Sequence, residues 1–268
     1  VAHSFPTRRS SDLVDGVQEG AADYDCKLAV NVLHYDHTPN DADVSNILRV
    51  LATDGLVIDH TNAIPSALST LLQRHRIPAV WLNRRDEYDC VVPDDAHGAA
   101  WATRDILEFG HHRVAFAVHQ KGSDHSAVNR WLGYSSTMYD AGLPPQRIDV
   151  PQETNGALQT LSAALIAPDR PTAILAYERA EAEGVLFACS VLGLRIPDDI
   201  SLVTISDGGV RCAYRKITTY TIPFGKVGKE GVIMLMRKIA DPASSLPLVL
   251  CPYNYKSANT SLAPPPAA

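Results

Sequence analysis

The chain has 268 residues, of which 46% are hydrophobic and 20% are charged, and its formal net charge is -6. This length suits one large domain or two smaller lobes, and the composition is that of an ordinary globular protein. Because nucleic-acid binding depends on cationic side chains that neutralise phosphates, the negative charge argues against DNA binding by the residues present here.

The cysteines and the hydropathy exclude two further classes. The five cysteines are Cys26, Cys90, Cys189, Cys212 and Cys251, and they include no Cys-x-x-Cys pair. Their wide spacing is typical of small buried apolar residues in a reducing compartment, not of disulfides or metal ligands. No run of about 18 apolar residues occurs, so no transmembrane helix is expected. We therefore expect a cytoplasmic protein without a metal ion or cofactor.

Residues 1–13 do not fit the pattern that follows them. The stretch Phe5–Leu13 lacks the apolar core of roughly 7–15 residues that a secretory signal peptide contains. Two interpretations are open: a sequencing-adapter oligonucleotide translated together with the open reading frame, or a natural polar tail. We favour the adapter, because the recognisable pattern begins abruptly at about Val14.

From Lys27 onward, short apolar runs alternate with segments of helical periodicity. The predicted strands are Leu28–Leu33, Leu56–Asp59, Ala79–Leu82, Val91–Val92, Val114–Val118, Ile148–Val150, Ala173–Ala176 and Leu202–Ile205. The predicted helices cover about 42–53, 64–75, 96–109, 126–141, 156–166 and 179–192. Such alternation predicts parallel sheets with helices on both faces. By itself it also fits a single flavodoxin-like or Rossmann sheet.

The most informative unit runs from Val91 to Val118. Asp94 and Asp95 precede apolar residues at three-and-four spacing, which predicts a capped helix, and Gly110 follows where a helix commonly ends. The apolar run Val114–Val118 then suits a strand covered on both faces. The unit is therefore a strand, a helix and a second strand.

Six motifs follow one another along the chain. They are Asp94-Asp95-x-x-Gly98-Ala99, Leu107–Phe116, Arg130–Tyr134, Pro171–Ala176, Gly193–Val203 and Ser257–Pro264. Together they resemble the effector-binding domain of the lactose-repressor (LacI) family of bacterial transcription regulators, from about Val14 to Pro265. A complete member begins with a helix-turn-helix, a hinge helix and a first strand. The resemblance therefore implies a truncated gene product that lacks its DNA-binding domain.

The resemblance implies an α/β protein with the two-lobed type I fold of periplasmic binding proteins, each lobe a parallel sheet flanked by helices. One lobe would hold about 14–118 and 223–246, and the other about 119–222 and 247–265. It also implies a homodimer that senses a small carbohydrate-like effector and binds operator DNA only through the missing domain. Effector binding would shift the balance between lobe arrangements.

Ligand contacts are expected after the strands, because open parallel sheets bind ligands outside the carboxyl ends of their strands. Polar residues stand there at His34, Tyr35, His60, Thr61, Asn83, Arg84, His119, Gln120, Glu178, Ser206 and Asp207. We predict as ligand contacts Tyr35, His60, Asn83, Gln120, Glu178, Ser206 and Asp207. Each is also compatible with a solvated loop.

Arg130 joins this set through the resemblance. The family places an arginine three residues before the glycine that is Gly133 here, and that arginine contacts the effector; the alternative is a surface arginine. Since Arg130 does not belong to the apolar core pattern, its removal is expected to leave the protein folded. Glu178 replaces the family's asparagine, and a glutamate favours hydroxyls or an amine over a carboxylate.

No catalytic motif supports an enzyme. The sequence contains no nucleophile elbow, Walker loop, dinucleotide fingerprint or His-Glu-x-x-His pair. The spacing of Gly225, Gly228 and Gly231 is wrong for a phosphate-binding loop, and it predicts a helix start with close helix packing. Two rivals to the regulator remain: an extracytoplasmic solute-binding protein of the same fold, and an enzyme on a doubly wound sheet.

Overall fold

The computed structural model describes residues 8–30, 53–59, 70, 72–119, 124–208, 210–212 and 215–265. In chain order its elements are α1 (Arg8–Ala22), β1 (Leu56–Asp59), β2 (Ala79–Leu82), β3 (Cys90–Pro93), α2 (Asp95–Glu108), β4 (Val114–His119), α3 (His125–Asp140), β5 (Gln146–Val150), α4 (Thr154–Ile166), β6 (Ala173–Ala176), α5 (Arg179–Leu192), β7 (Ser201–Ser206), β8 (Arg211–Cys212), β9 (Arg215–Lys216), β10 (Thr218–Thr221), α6 (Phe224–Ala240) and β11 (Val249–Cys251). They form two compact units. Unit 1 comprises the chain up to Pro93 and Pro223–Cys251, and unit 2 comprises Asp94–Ile222 and the chain from Pro252 onward.

Unit 1 is built on a four-stranded sheet in the order β1-β2-β3-β11, in which every pair of neighbours is parallel. The side chains of β2 and β3 are buried throughout, which explains why their sequences are almost continuously apolar. Helix α6 packs against β2 and β3, and α1 packs against α6.

Glycines allow α1 and α6 to meet backbone to backbone. A Cβ on Gly16 would lie 2.0 Å from the carbonyl oxygen of Gly225, and one on Gly228 would lie 2.4 Å from that of Leu13. The prediction that the glycines near residue 228 mark a helix start and close packing is therefore confirmed. Helix α1 begins at Arg8, before the expected onset at Val14, and Leu13 is buried. An adapter origin of residues 1–13 stays a prediction.

Unit 2 is built on a five-stranded parallel sheet in the order β10-β7-β6-β4-β5. One face packs on α4 and α5 through a large apolar cluster that includes Ala115, Leu161 and Val185. On the opposite face, the ring of Phe116 packs against Trp131 and Tyr134 of α3, and α3 packs in turn on α2. Helices on both faces of parallel sheets are what the sequence predicted, and the α/β fold class is confirmed.

The predicted elements of unit 2 match closely, whereas part of unit 1 was misjudged or lies outside the described residues. The sequence did not predict β10, β11 or the short antiparallel pair of β8 and β9. Residues 28–30 of the predicted first strand have irregular backbone, and 31–33 lie outside the described residues. The predicted helix at 42–53 lies almost wholly outside them, and that at 64–75 lies partly outside them.

The predicted lobe boundaries are wrong at two of the three crossings. Residues 94–118 were assigned to the first lobe, but they belong to unit 2, because β4 pairs with β5 and β6 and because α2 packs on α3. Residues 247–251 were assigned to the second lobe, but they belong to unit 1, because β11 pairs with β3. The crossing at 222/223 was predicted correctly.

The C-terminal segment, residues 252–265, forms hydrogen bonds with the rest of unit 2. The Ser261 hydroxyl donates to the Leu202 carbonyl, and the Leu202 amide donates to the Ser261 carbonyl over 2.8 Å. Fully buried His111 lies with Nε2 2.7 Å from the carbonyl oxygen of Ala263 and Nδ1 2.9 Å from the Thr172 hydroxyl. His111, which lies between α2 and β4, is thus a structural residue.

We expect unit 2 to lose stability as the pH falls below about 6.5, the ordinary pKa of histidine. Burial lowers the pKa of His111 in the folded chain, so the unfolded chain takes up a proton first and acid favours unfolding. Denaturation of the wild type and His111→Gln at about pH 8 and about pH 5.5 tests this. The variant should be less stable at the higher pH and should lose less stability between the two; an equal loss in both proteins would contradict the expectation.

Across the described residues, no helix is long and apolar enough to span a membrane.

Candidate functional site

The carboxyl edge of the sheet in unit 2 gathers several of the predicted ligand residues. Strands β7, β6 and β4 are neighbours and run in parallel, so their last residues meet at one edge. Ser206 and Asp207 stand at the end of β7, Glu178 follows β6 after one residue, and His119 ends β4. The topology therefore brings Ser206, Asp207 and Glu178 to the same edge, as the sequence predicted.

Arg130 reaches this edge from α3, but it is buried and two of its three nitrogens donate hydrogen bonds within the protein. Its Nε donates to Asp95 Oδ1 over 2.7 Å, and its Nη1 donates to the carbonyl oxygen of Tyr177 over 2.7 Å. The guanidinium carbon also lies 4.6 Å from the centre of the Tyr177 ring. Asp95 Oδ1 accepts a second hydrogen bond of 2.8 Å from the Tyr253 hydroxyl. Arg130 thus links α3, the first turn of α2 and the end of β6.

The electrostatics of this network favour the ion pair. Burial is the largest single effect and opposes the charge on Arg130, but Asp95, Tyr253 and Tyr177 together outweigh it and raise the pKa of Arg130 well above its ordinary value. Only 4% of Arg130 and 2% of Asp95 is exposed. The alternative of a surface arginine is therefore wrong. The reason for expecting the protein to stay folded without Arg130 also fails, because Arg130 belongs to the buried interior. Contact between Arg130 and a ligand stays a prediction.

Three side chains lie together beyond Tyr177. The Tyr177 hydroxyl is 3.3 Å from Asp124 Oδ1, and His119 Nε2 is 3.9 Å from Asp124 Oδ2. The rings of His119 and Tyr177 meet edge to face with centroids 5.1 Å apart. Asp124 is also the N-cap of α3, because Oδ1 accepts the amide of Ala127 over 2.8 Å. Burial raises the pKa of Tyr177, so its hydroxyl stays protonated and donates.

Acidic residues surround this group. Glu178 is exposed at the N-cap of α5, where its amide donates to Glu181 Oε2 over 3.2 Å. Glu181 is only 5% exposed, and burial together with the negative charge of Glu178 raises its pKa to about 7. Next to them in the sheet, the Ser206 hydroxyl donates to Asp207 Oδ1 over 3.1 Å. The edge is therefore rich in hydrogen-bond acceptors.

Comparison with known proteins gives the family. The profile of the periplasmic binding protein-like domain matches residues 103–256, which is more than half of the chain. This chain belongs to that family.

Relatives of this periplasmic binding protein-like domain are transcription regulators. The HTH-type transcriptional repressor PurR of Photobacterium profundum is 25% identical over 205 residues, which cover 72% of this chain and 61% of that repressor. The chain thus spans less than two thirds of the length of that relative.

Solved structures share the fold. A LacI family transcriptional regulator from Mycobacterium smegmatis is 26% identical, with a TM-score of 0.74 and 96% of each chain covered. A LacI family regulator from Enterococcus faecium with bound ribose is 18% identical, with a TM-score of 0.74 and coverage of 98% of this chain and 97% of that one. Within its family, the chain is an effector-binding domain of the LacI/GalR type.

The other predicted ligand residues of this domain do not join the edge of unit 2 in the described residues. Asn83 lies in unit 1 after β2, where its Nδ2 donates to Asp59 Oδ1 over 2.6 Å and its φ is 58°. Tyr35, His60 and Gln120 lie outside the described residues. Asn83 is buried, and the structure gives it a structural partner at the carboxyl end of its own sheet.

Sequence reasoning missed Asp95, Asp124 and Tyr177. Asp95 and Asp124 stand directly ahead of helical patterns, so each was open only to interpretation as a helix-start residue. Tyr177 directly precedes Glu178, and its aromatic ring beside a strand end was an available signal. Among the described residues, no group of three His, Cys, Asp or Glu side chains is arranged to hold a metal ion.

Proposed function

We propose that this chain is the small-molecule-sensing and dimerising core of a cytoplasmic LacI-type transcription regulator. In this proposal a DNA-binding domain outside the given sequence contacts the operator, and the chain itself is not an enzyme. The observation that supports sensing is the edge of unit 2, where Ser206, Asp207 and Glu178 follow neighbouring strands and Arg130 is anchored beside them. The repressor names of the relatives support the regulatory role.

The effector we propose is a hydroxyl-rich, non-anionic metabolite of the sugar class. Carboxylates such as Asp207 and Glu178 accept hydrogen bonds from hydroxyls and repel anions. The ribose in the Enterococcus faecium structure is in keeping with this class, although that protein shares only the fold with this chain. The effector would act by binding one arrangement of the regulator more tightly than the other, since only differential affinity shifts such an equilibrium.

A ligand screen tests this function. We expect at least one member of a panel of sugars, polyols and nucleosides to raise the melting temperature of the full chain, because a ligand that binds only the folded state stabilises it. Calorimetry then gives the affinity of each hit. A panel without any hit would contradict the proposed sensing function.

Substitutions in the chain, tested for their affinity for the compound that binds, locate the site. Asp207→Asn is expected to weaken binding about tenfold or more, because hydrogen bonds to charged groups contribute about 1.5–3 kcal/mol. Glu178→Gln is expected to change which panel member binds best. The control is Asp198→Asn, since Asp198 is exposed and precedes β7, at the opposite edge of the same sheet. Unchanged affinity in the first two variants would place the site elsewhere.

A further inference from the structure

His119, Asp124 and Tyr177 form a group that we call the acceptor cluster. Its hydrogen-bond donors face other atoms of the same group. The Tyr177 hydroxyl is directed at Asp124, and the Ala127 amide already caps the same carboxylate. His119 Nε2 faces Asp124 Oδ2 at 3.9 Å. What the cluster presents beyond itself is therefore acceptor capacity: the lone pairs of the Tyr177 oxygen, the second Asp124 oxygen and the other ring nitrogen of His119.

Two buried polar atoms, one in this cluster and one beside it, lack a hydrogen-bond partner within the part of the chain that the structure describes. They are His119 Nδ1 and Asp95 Oδ2. Asp95 is 2% exposed and is tied to Tyr177 through Arg130, whose guanidinium packs on the Tyr177 ring. In the tautomer that carries its proton on Nε2, the nitrogen that faces Asp124, His119 Nδ1 is an acceptor. Buried polar atoms are almost always hydrogen-bonded, so both atoms point to a donor from outside the cluster.

Among the described residues, most of the charges that act strongly on Tyr177 are negative. They are Asp124, Glu178 and Asp95, against the one cation Arg130. Arg130 is already paired with Asp95 over 2.7 Å and donates to the Tyr177 carbonyl, so its charge is compensated. An anionic ligand would therefore meet the carboxylates of Asp124 and Glu178, which have no cation partner among the contacts described above, and like charges disfavour its binding.

We propose that the acceptor cluster determines specificity: it binds the hydrogen-bond donors of a ligand, either hydroxyl or ammonium groups, and rejects carboxylates and phosphates. The proposal rests on the proposed sensing function and goes beyond it, because it assigns discrimination to His119, Asp124 and Tyr177 and not to Arg130. A donor-rich ligand would satisfy Nδ1 of His119 and Oδ2 of Asp124 at once, whereas an oxyanion offers neither atom a donor.

Compounds that differ in one group distinguish ligands with hydroxyl or ammonium donors from ligands with a carboxylate or phosphate. Calorimetry on the full chain uses glucose, glucosamine and gluconate as one set, and ribose and ribose 5-phosphate as another. We expect glucose, glucosamine or ribose to bind at least about tenfold more tightly than the anionic member of the same set. Tighter binding of glucosamine than glucose would identify ammonium as the preferred donor, and the reverse order would identify hydroxyl.

Two variants test the residues themselves. Asp124→Asn keeps an N-cap oxygen for α3 but replaces one acceptor with a donor, and His119→Phe keeps a ring but removes Nδ1. Each variant is expected to bind the best-binding compound about tenfold more weakly. Asp124→Asn should also reduce the ratio between the affinity for that compound and the affinity for the anion of the same set. The controls are Asp140→Asn at the other end of α3 and His112→Phe ahead of β4, both at exposed positions.

Three results would overturn the proposal: an anion that binds as well as its neutral partner, unchanged preferences in both cluster variants, or no binding by any of the five compounds. The last result leaves the sensing function standing if the wider screen has produced a ligand of another kind. A screen without any ligand defeats the sensing function itself.

Discussion

Replacing either Arg130 or Asp95 with alanine is expected to lower the free energy of unfolding by about 3–5 kcal/mol. Both side chains are at least nine-tenths buried, and each single substitution leaves the other charge in the interior without its counter-ion. The loss is larger than for an ordinary hydrogen bond because the remaining charge is desolvated and unpaired. Removal of Arg130 also leaves the Tyr177 carbonyl without its 2.7 Å donor.

Chemical denaturation monitored by circular dichroism measures this loss. The matched control is Arg179→Ala, since Arg179 forms a 2.8 Å pair with Glu183 in which both side chains are largely exposed. Exposed pairs contribute about 0–1 kcal/mol, so the control should remain close to the wild type. The double variant Arg130→Met with Asp95→Leu removes both charges, and it should be more stable than either alanine variant. Equal effects of Arg130→Ala and Arg179→Ala would show that the buried pair is not a structural element.

The second large loss of stability is expected from substitutions where α1 crosses α6. Gly228→Ala should destabilise the chain by about 1–3 kcal/mol, because overpacking forces backbone shifts and the new Cβ would lie 2.4 Å from the Leu13 carbonyl oxygen. The nearest atoms that this Cβ would meet, the Leu13 oxygen and the Val17 nitrogen, belong to the backbone, so no side chain can rotate away. Gly16→Ala should act likewise, since its Cβ would lie 2.0 Å from the Gly225 oxygen.

Gly225→Ala is the matched control for this crossing. It lies on the same helix as Gly228, and its Cβ would meet an ordinary contact of 3.6 Å to the Asp12 carbonyl oxygen. Alanine is favoured over glycine in a helix by about 0.5–1 kcal/mol, so Gly225→Ala should be neutral or stabilising. Thermal unfolding of the three variants tests the contrast. A Gly228→Ala protein as stable as Gly225→Ala would mean that the helices do not cross as closely as described.

The fold was largely predictable where one local pattern was sufficient. The strands Ala79–Leu82 and Ala173–Ala176 are covered on both faces, so each appears in the sequence as an unbroken apolar run. The boundary between the units was not predictable in this way. Helix α2 has an apolar face that suits either sheet, and only the pairing of β4 with β5 and β6 assigns it to unit 2.

The candidate site was predictable to a smaller extent. Parallel strands place their ends together, which correctly gathered Ser206, Asp207 and Glu178. The partners of Arg130 lie 35 and 47 residues away in sequence, at Asp95 and Tyr177. The spacing of residues within one helix or strand cannot predict such a pair. The same holds for Tyr177 and Asp124, which are 53 residues apart and meet only because β6 lies beside β4.

The path of the chain sets the order in which the two sheets are completed during synthesis. The sheet of unit 2 has all its strands once Thr221 has left the ribosome, whereas β3 of unit 1 lacks its neighbour β11 until Cys251 has emerged. Domains generally fold in the order of translation, but here the unit that starts the chain acquires its last strand after the other sheet is complete. Meanwhile β3 is an open sheet edge, which is the kind of surface that recruits foreign strands. A chaperone that protects this nascent protein would have to shield β3 while roughly 160 further residues are translated. The same long separation in sequence makes the pairing of β3 with β11 slow to form.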